Sequence, residues 1–225
     1  MPTATCWAKV TCMSWHKDRP SGRKGYHHGN LREALIDAAL MLISEKGPGG
    51  LTFAEAARAA GVSGAAPYRH FRDRDALMAD VALRGYAEFA KRLAEAWNEG
   101  GRPDPIAAFH KLGKAYLGFA RSEPALFAAM FDSGLVLADH PEAGAAADRA
   151  FGVLRSACET LASTLPTERR PPALMMALHI WSLSHGTAAL FARGDAARRP
   201  IPMPAEDLLE AAVLVYLDGL GITGR

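Results

Sequence analysis

Cysteine, strand-type alternation and long unbroken apolar runs are all scarce in this chain, and each scarcity excludes something. The three cysteines, Cys6, Cys12 and Cys158, have neither paired nor metal-type spacing. A disulfide framework is therefore not expected, and a reducing cytoplasm is the natural setting. The most apolar segments are ALMMALHIWSLSHGTAALF and AAVLVYLDGL. They are interrupted by His179, His185 and Asp218, so they read as buried helices rather than membrane spans. The first 25 residues mix polar, basic and breaker residues where a secretory signal would need an apolar stretch, so no export and no membrane partner are expected. No G-x-S-x-G, H-E-x-x-H or glycine-rich phosphate loop occurs, which leaves an enzyme without a motif. His179 and His185 are six apart, on different sides of a helix, with no further ligand three or four residues away. Neither a metal nor another cofactor is expected.

What is present is helix-forming sequence. Hydrophobic residues make up 49% of 225 positions, enough for a sizeable core. Prolines and glycines cut the second half into Ala- and Leu-rich pieces of roughly 105–121, 124–137, 142–164, 172–193 and 205–219. With four helices expected before them, the fold class is all-α with about nine helices: a three-helix N-terminal domain followed by a helical bundle. The net charge is only +2, but residues 1–80 carry 11 Lys and Arg against 8 Asp and Glu, so the basic excess lies at the N-terminal end. That asymmetry is a weak pointer to nucleic acid.

Residues 1–25, which include Lys17, Arg19, Arg23 and Lys24, read as a flexible basic arm, either lying along DNA or without a role; Met13 is an alternative start. From Asn30, a capping residue, Leu31, Leu35, Ala38, Ala39, Leu42 and Ile43 recur at helical spacing until the GPGG of 47–50. Thr52 and Glu55 form a capping box for a second, short helix, which Gly61 stops. Ser63 can cap a third helix running to Phe71, in which Pro67 is tolerated within the first turn. A Thr-capped helix, a tight Gly turn and a Ser-capped helix have the layout of a helix-turn-helix. Asp73 then caps a long fourth helix that links the two halves.

The string YHHGNLREALIDAALMLISEKGPGGLTFAEAARAAGVSGAAPYRHFRDRDALMADV, residues 26–81, resembles the DNA-binding domain of the TetR family of bacterial transcriptional regulators. The resemblance rests on the glycine-ended first helix, the L-T-F start of the second, the A-x-x-A-G-V-S turn, and Y-R-H-F followed by D-A-L. It implies that the third helix enters the major groove, with Ser63, Gly64, Ala65, Ala66, Tyr68 and Arg69 near bases and phosphates. Tyr68 and His70 match positions that contact the DNA backbone, and Arg74 stands where a lysine is common. Thr52 either caps or also meets a phosphate, and His28 and Asn30 contact the backbone or cap locally. Gly64, Ala65 and Ala66 offer only close backbone approach and methyl contacts, so specificity would lean on Tyr68, Arg69 and DNA shape.

W-S-L-S-H-G, residues 181–186, resembles the Trp-His-Gly signature of a C-terminal domain in one TetR subgroup. Trp181 and His185, four apart, share a helix face, and Gly186 would admit another helix closely. Phe109, Tyr116, Phe127, Met130 and Phe131 add aromatic and adaptable side chains. Ordinary core packing and a ligand pocket both fit these residues, and the resemblance implies the pocket, for a small apolar or aromatic molecule. The expected organisation is an arm (1–25), a helix-turn-helix domain (26–72) and a ligand-binding and dimerisation domain (73–225). The expected function is that of a cytoplasmic homodimeric repressor, paired through its last two helices and released from a pseudo-palindromic duplex by a ligand. An activator, or a DNA binder whose second half only dimerises, is the alternative.

Overall fold

The computed structural model describes residues 31–99, 104–192 and 201–222. Among them are eight α-helices: α1 (Leu31–Lys46), α2 (Phe53–Ala59), α3 (Arg74–Asn98), α4 (Pro105–Ser122), α5 (Pro124–Phe131), α6 (Pro141–Ala162), α7 (Ala173–Ala192) and α8 (Ala205–Gly219). No described residue is in a strand. The basic arm, His28 and the Asn30 cap lie outside the described residues.

Local sequence signals account for most of the boundaries. Gly47 takes φ +74°, a left-handed conformation that closes α1 without a Cβ penalty, and Gly61 (φ +69°) does the same after α2. The Thr52 hydroxyl accepts from the Glu55 amide at 3.2 Å, and Asp73 accepts from the Ala76 amide at 2.7 Å to start α3. Asp104 caps α4, where Pro105 costs nothing at the first turn.

Two expected helices are corrected. Residues 63–71 do not form an α-helix: they run as turns followed by a single 3₁₀ turn, Pro67–Arg69. Pro67 has no N–H to give the Ser63 carbonyl, which instead accepts from Ala66 at 2.9 Å. The Ala66 carbonyl in turn accepts from Arg69 at 3.2 Å, an i to i+3 pattern. Pro67 is also buried, so it anchors the segment rather than being merely tolerated. The piece expected over 124–137 stops at Phe131, because Gly134 turns the chain at φ +72° and Leu137–Asp139 form a separate 3₁₀ turn.

The core is continuous along α3. Its first half buries Leu77, Met78 and Val81 and is tied to α1 by the Arg32–Asp80 and Arg84–Asp37 ion pairs; Leu35, Ala39 and Leu42 of α1 and Phe53 of α2 are also buried. Its second half buries Tyr86, Phe89, Leu93 and Trp97 among the later helices. The described residues from Arg32 onward pack as one unit, and α3 contacts α4, α5 and α6. Helix α5 lies close on α3: a Cβ at Gly85 would sit 2.7 Å from Met130 Sδ, and Tyr86 donates to the Met130 carbonyl at 3.0 Å.

Candidate DNA face and interior cavity

On the first face, the turn after α2 presents Ser63, Gly64, Ala65, Tyr68, Arg69 and His70 to solvent, with Ala66 half-buried and Pro67 and Phe71 beneath. Tyr68 is 64% exposed yet positioned, because its ring meets Phe53 edge-on at 4.9 Å. Among the described residues nothing crowds Gly64: a Cβ there would meet no atom within 4 Å. Thr52 is exposed at the start of α2 beside this group, its hydroxyl already engaged with Glu55.

Arg74 is committed elsewhere. Its Nε donates to the Leu51 carbonyl at 3.0 Å, Nη2 to the Pro48 carbonyl at 2.6 Å, and Nη1 to Asp75 at 2.9 Å. The guanidinium thus braces the turn between α1 and α2. A phosphate contact from Arg74 would have to share or replace those bonds.

The second feature is a cavity of about 300 Å³ bounded by α3, α4, α6, α7 and α8, with Phe131 from α5. That is at the lower end of the ~300–1,000 Å³ usual for ligand pockets. Phe109, Tyr116, Phe131 and Trp181, all expected to contact a ligand, line it, whereas Phe127, Met130 and His185 do not. Met130 packs on Gly85 instead. Phe127 stacks on His185 with centroids 5.5 Å apart and planes 19° apart, and Phe131 meets the same imidazole edge-on at 4.9 Å.

Tyr116 joins the two signature residues of α7. Its hydroxyl is 3.0 Å from His185 Nδ1, and the Trp181 indole engages the same hydroxyl. An indole N–H can only donate, which leaves the Tyr116 proton available to His185 Nδ1. Burial pushes the Tyr116 phenol well above its ordinary range, and the Tyr86 phenol up to about 12. Both hydroxyls stay protonated as donors.

No described helix packs on Gly186: a Cβ there would meet nothing within 4 Å among the described residues. It lies on an exposed stripe of α7 with Leu174, Leu178, Ser182 and Leu190, at four-residue intervals. Helix α8 exposes Ala211, Val215 and Gly219 at the same interval, with Val215 75% exposed. Helix α7 is long and apolar enough to cross a membrane by length and composition, though Met176, Ala177 and Ile180 are packed inside this chain.

Sequence reasoning missed the polar side of the cavity. His110 and Lys114 on α4, Asp148 on α6, and Glu206 and Glu210 on α8 all line it. The available signal was a pair of i, i+4 repeats, His110 with Lys114 and Glu206 with Glu210, which put charge on otherwise apolar faces. Only the packing of α8 on α4 joins them.

Residues 35–81 match the family described as bacterial regulatory proteins, tetR family, and residues 109–216 match a tetracyclin repressor-like C-terminal domain. Neither description names a Trp-His-Gly type. Among solved structures, a protein of unknown function from Rhodococcus sp. RHA1 is 29% identical, with a TM-score of 0.72 over 87% of this chain and 98% of that one. The TetR family regulator PfmR of Thermus thermophilus is 21% identical (TM-score 0.60; 83% and 96% covered), and the fatty acid degradation regulator FadR of Bacillus halodurans is 13% identical (0.62; 80% and 90%). These last two show likeness of fold alone. No curated protein matches the sequence.

Proposed function

Because this chain belongs to the TetR family of transcriptional regulators, with a DNA-binding N-terminal domain, we propose that it is a cytoplasmic homodimeric repressor whose cavity ligand releases it from a pseudo-palindromic site. The observation that carries this reading is the coexistence in one chain of an exposed face over residues 63–70 after α2 and an interior cavity about 300 Å³ in volume. A DNA binder whose second half only dimerised would have no use for that cavity.

DNA contact falls to Ser63, Gly64, Ala65, Ala66, Tyr68, Arg69 and His70, with Thr52, and with His28 and Asn30 from the chain before α1. Tyr68 and His70 take the phosphate backbone, and the small residues let the protein backbone approach the bases. The exposed stripes of α7 and α8 supply the dimer contact. Leu174, Leu178, Leu190 and Val215 are large apolar groups left on the surface, and Ser182 and Gly186 let a second helix come close between them. A two-fold pairing there places the two recognition segments about 34–36 Å apart or at a multiple of that distance.

Release runs through α5. Phe131 at its end lines the cavity, its Met130 sits on Gly85 of α3, and the helix also contacts the Pro48–Gly50 turn that Arg74 braces. A ligand that shifts Phe131 therefore moves the turn from which α2 begins. A coupling of about 1–3 kcal/mol weakens DNA binding roughly 5- to 150-fold. Selection of bound sequences from a random duplex pool tests the reading. A palindrome with two half-sites is expected, and enrichment of an asymmetric site or of none contradicts the dimeric repressor.

A further inference from the structure

The polar side of the cavity specifies what it holds. His110 Nδ1 lies 3.8 Å from a Glu210 carboxylate oxygen, while His110 Nε2 is buried with no hydrogen-bond partner among the described residues. A buried polar atom without a partner is costly, and one in the wall of a cavity is satisfied by whatever enters. In the neutral imidazole a carboxylate 3.8 Å from Nδ1 favours the tautomer protonated there, in which Nε2 is a lone-pair acceptor. The ionisable groups around it lean negative. Asp148, Glu206 and Glu210 line the cavity against Lys114, with Arg121 further out pairing with Glu206. Apart from the hydroxyls of Ser184, Tyr86 and Tyr116, which hydrogen-bond within the chain, the rest of the wall is aromatic and aliphatic.

Resting on the ligand-responsive reading above, we propose that the cavity takes an apolar molecule carrying one hydrogen-bond donor, a hydroxyl or an amine, and no anionic group, with the donor seated on His110 Nε2. A carboxylate offers no donor to Nε2 and meets three carboxylates on the wall. A molecule with no donor leaves Nε2 as it is. Sequence reasoning assigned the ligand only apolar and aromatic contacts; His110 adds a selective one, with Glu210 as its positioning residue.

Four probes with one tail separate the cases: decanol, decylamine, decanoate and decyl methyl ether, titrated into the full-length protein by calorimetry without DNA. Decanol and decylamine are expected to bind roughly five- to tenfold more tightly than the ether and the carboxylate, the size of one hydrogen bond. His110→Leu should erase the gap between decanol and the ether while retaining binding of the tail. Glu210→Gln, which removes the charge that orients the imidazole, should narrow the gap, and circular dichroism checks that both variants fold. Decanoate binding best, decanol and the ether binding equally, or a gap that survives His110→Leu would each overturn the assignment while leaving a ligand cavity in place. Binding of none of the four would overturn both the assignment and the ligand-responsive reading. Selective binding that leaves affinity for an operator duplex unchanged would overturn the repressor-release reading on which the proposal rests.

Discussion

The exposed segment 63–70 and the wall of the cavity are built on opposite principles. In the first, the side chains that matter project into solvent, and order comes from backbone turns, the buried Pro67 and a single ring contact between Tyr68 and Phe53. In the second, the aromatic side chains are also packing residues, while the charged ones, Lys114 and Asp148 among them, reach solvent. Tyr116 is at once part of the core, a hydrogen-bond bridge between Trp181 and His185, and a surface of the cavity. Function and stability should therefore separate at the DNA face and be coupled along the aromatic wall of the cavity.

The largest effect should come from the bundle's centre. Phe119 is fully buried and packs on Phe89 at 4.9 Å, so Phe119→Ala should cost about 3–5 kcal/mol in denaturant unfolding. A loss below about 1 kcal/mol would mean that the bundle collapses around the gap.

Alkaline pH should act next. Burial raises the Cys158 thiol from 9.0 to about 12 and the Tyr86 phenol from 10.0 to about 12. These folded values lie above the unfolded ones, so the stability they carry is complete below pH 9.0 and is lost as pH rises towards 12. In that window each group subtracts about 1.4 kcal/mol per pH unit. A Tm that stayed level from pH 9.0 upward would show that these groups are not held from water.

Tyr116→Phe keeps the ring and removes the bridge. Leaving the Trp181 indole N–H and His185 Nδ1 without that partner should cost about 1–3 kcal/mol. A neutral result would show that a water replaces the hydroxyl. Gly64→Ala is the smallest and the sharpest contrast: with nothing near the added Cβ, stability should hold or rise by up to about 1 kcal/mol. DNA affinity should still fall if the duplex approaches that backbone.

The same contrast separates what was legible in the sequence from what was not. The Thr52 and Asp73 caps and the Gly47 and Gly61 stops depend on residues a few positions apart, and each was readable. The third helix does not form because Pro67 denies the Ser63 carbonyl an amide and Ala66 supplies it instead, a competition that tolerance of proline in a first turn does not reveal. Gly186 reads as a point of close approach, but helical spacing does not say which face of α7 is buried, and the glycine lies on the outer one. Phe127 and His185 lie on helices that wall the cavity yet stack their rings on each other, a pairing 58 positions apart that no local pattern encodes. His110 was passed over because its partner Glu210 is 100 positions along the chain, on a helix whose packing against α4 no local pattern encodes.

The most direct measurement of the central claim is fluorescence anisotropy of a promoter duplex titrated with the wild-type chain, Tyr68→Ala and His70→Ala, each with its Tm recorded in the same buffer. The expected result is an affinity loss for both variants, at a stability within about 0.5 kcal/mol of wild type. Unchanged affinity would remove segment 63–70 from the DNA face, and an affinity loss matched by a collapse in Tm would show that function and stability do not separate there.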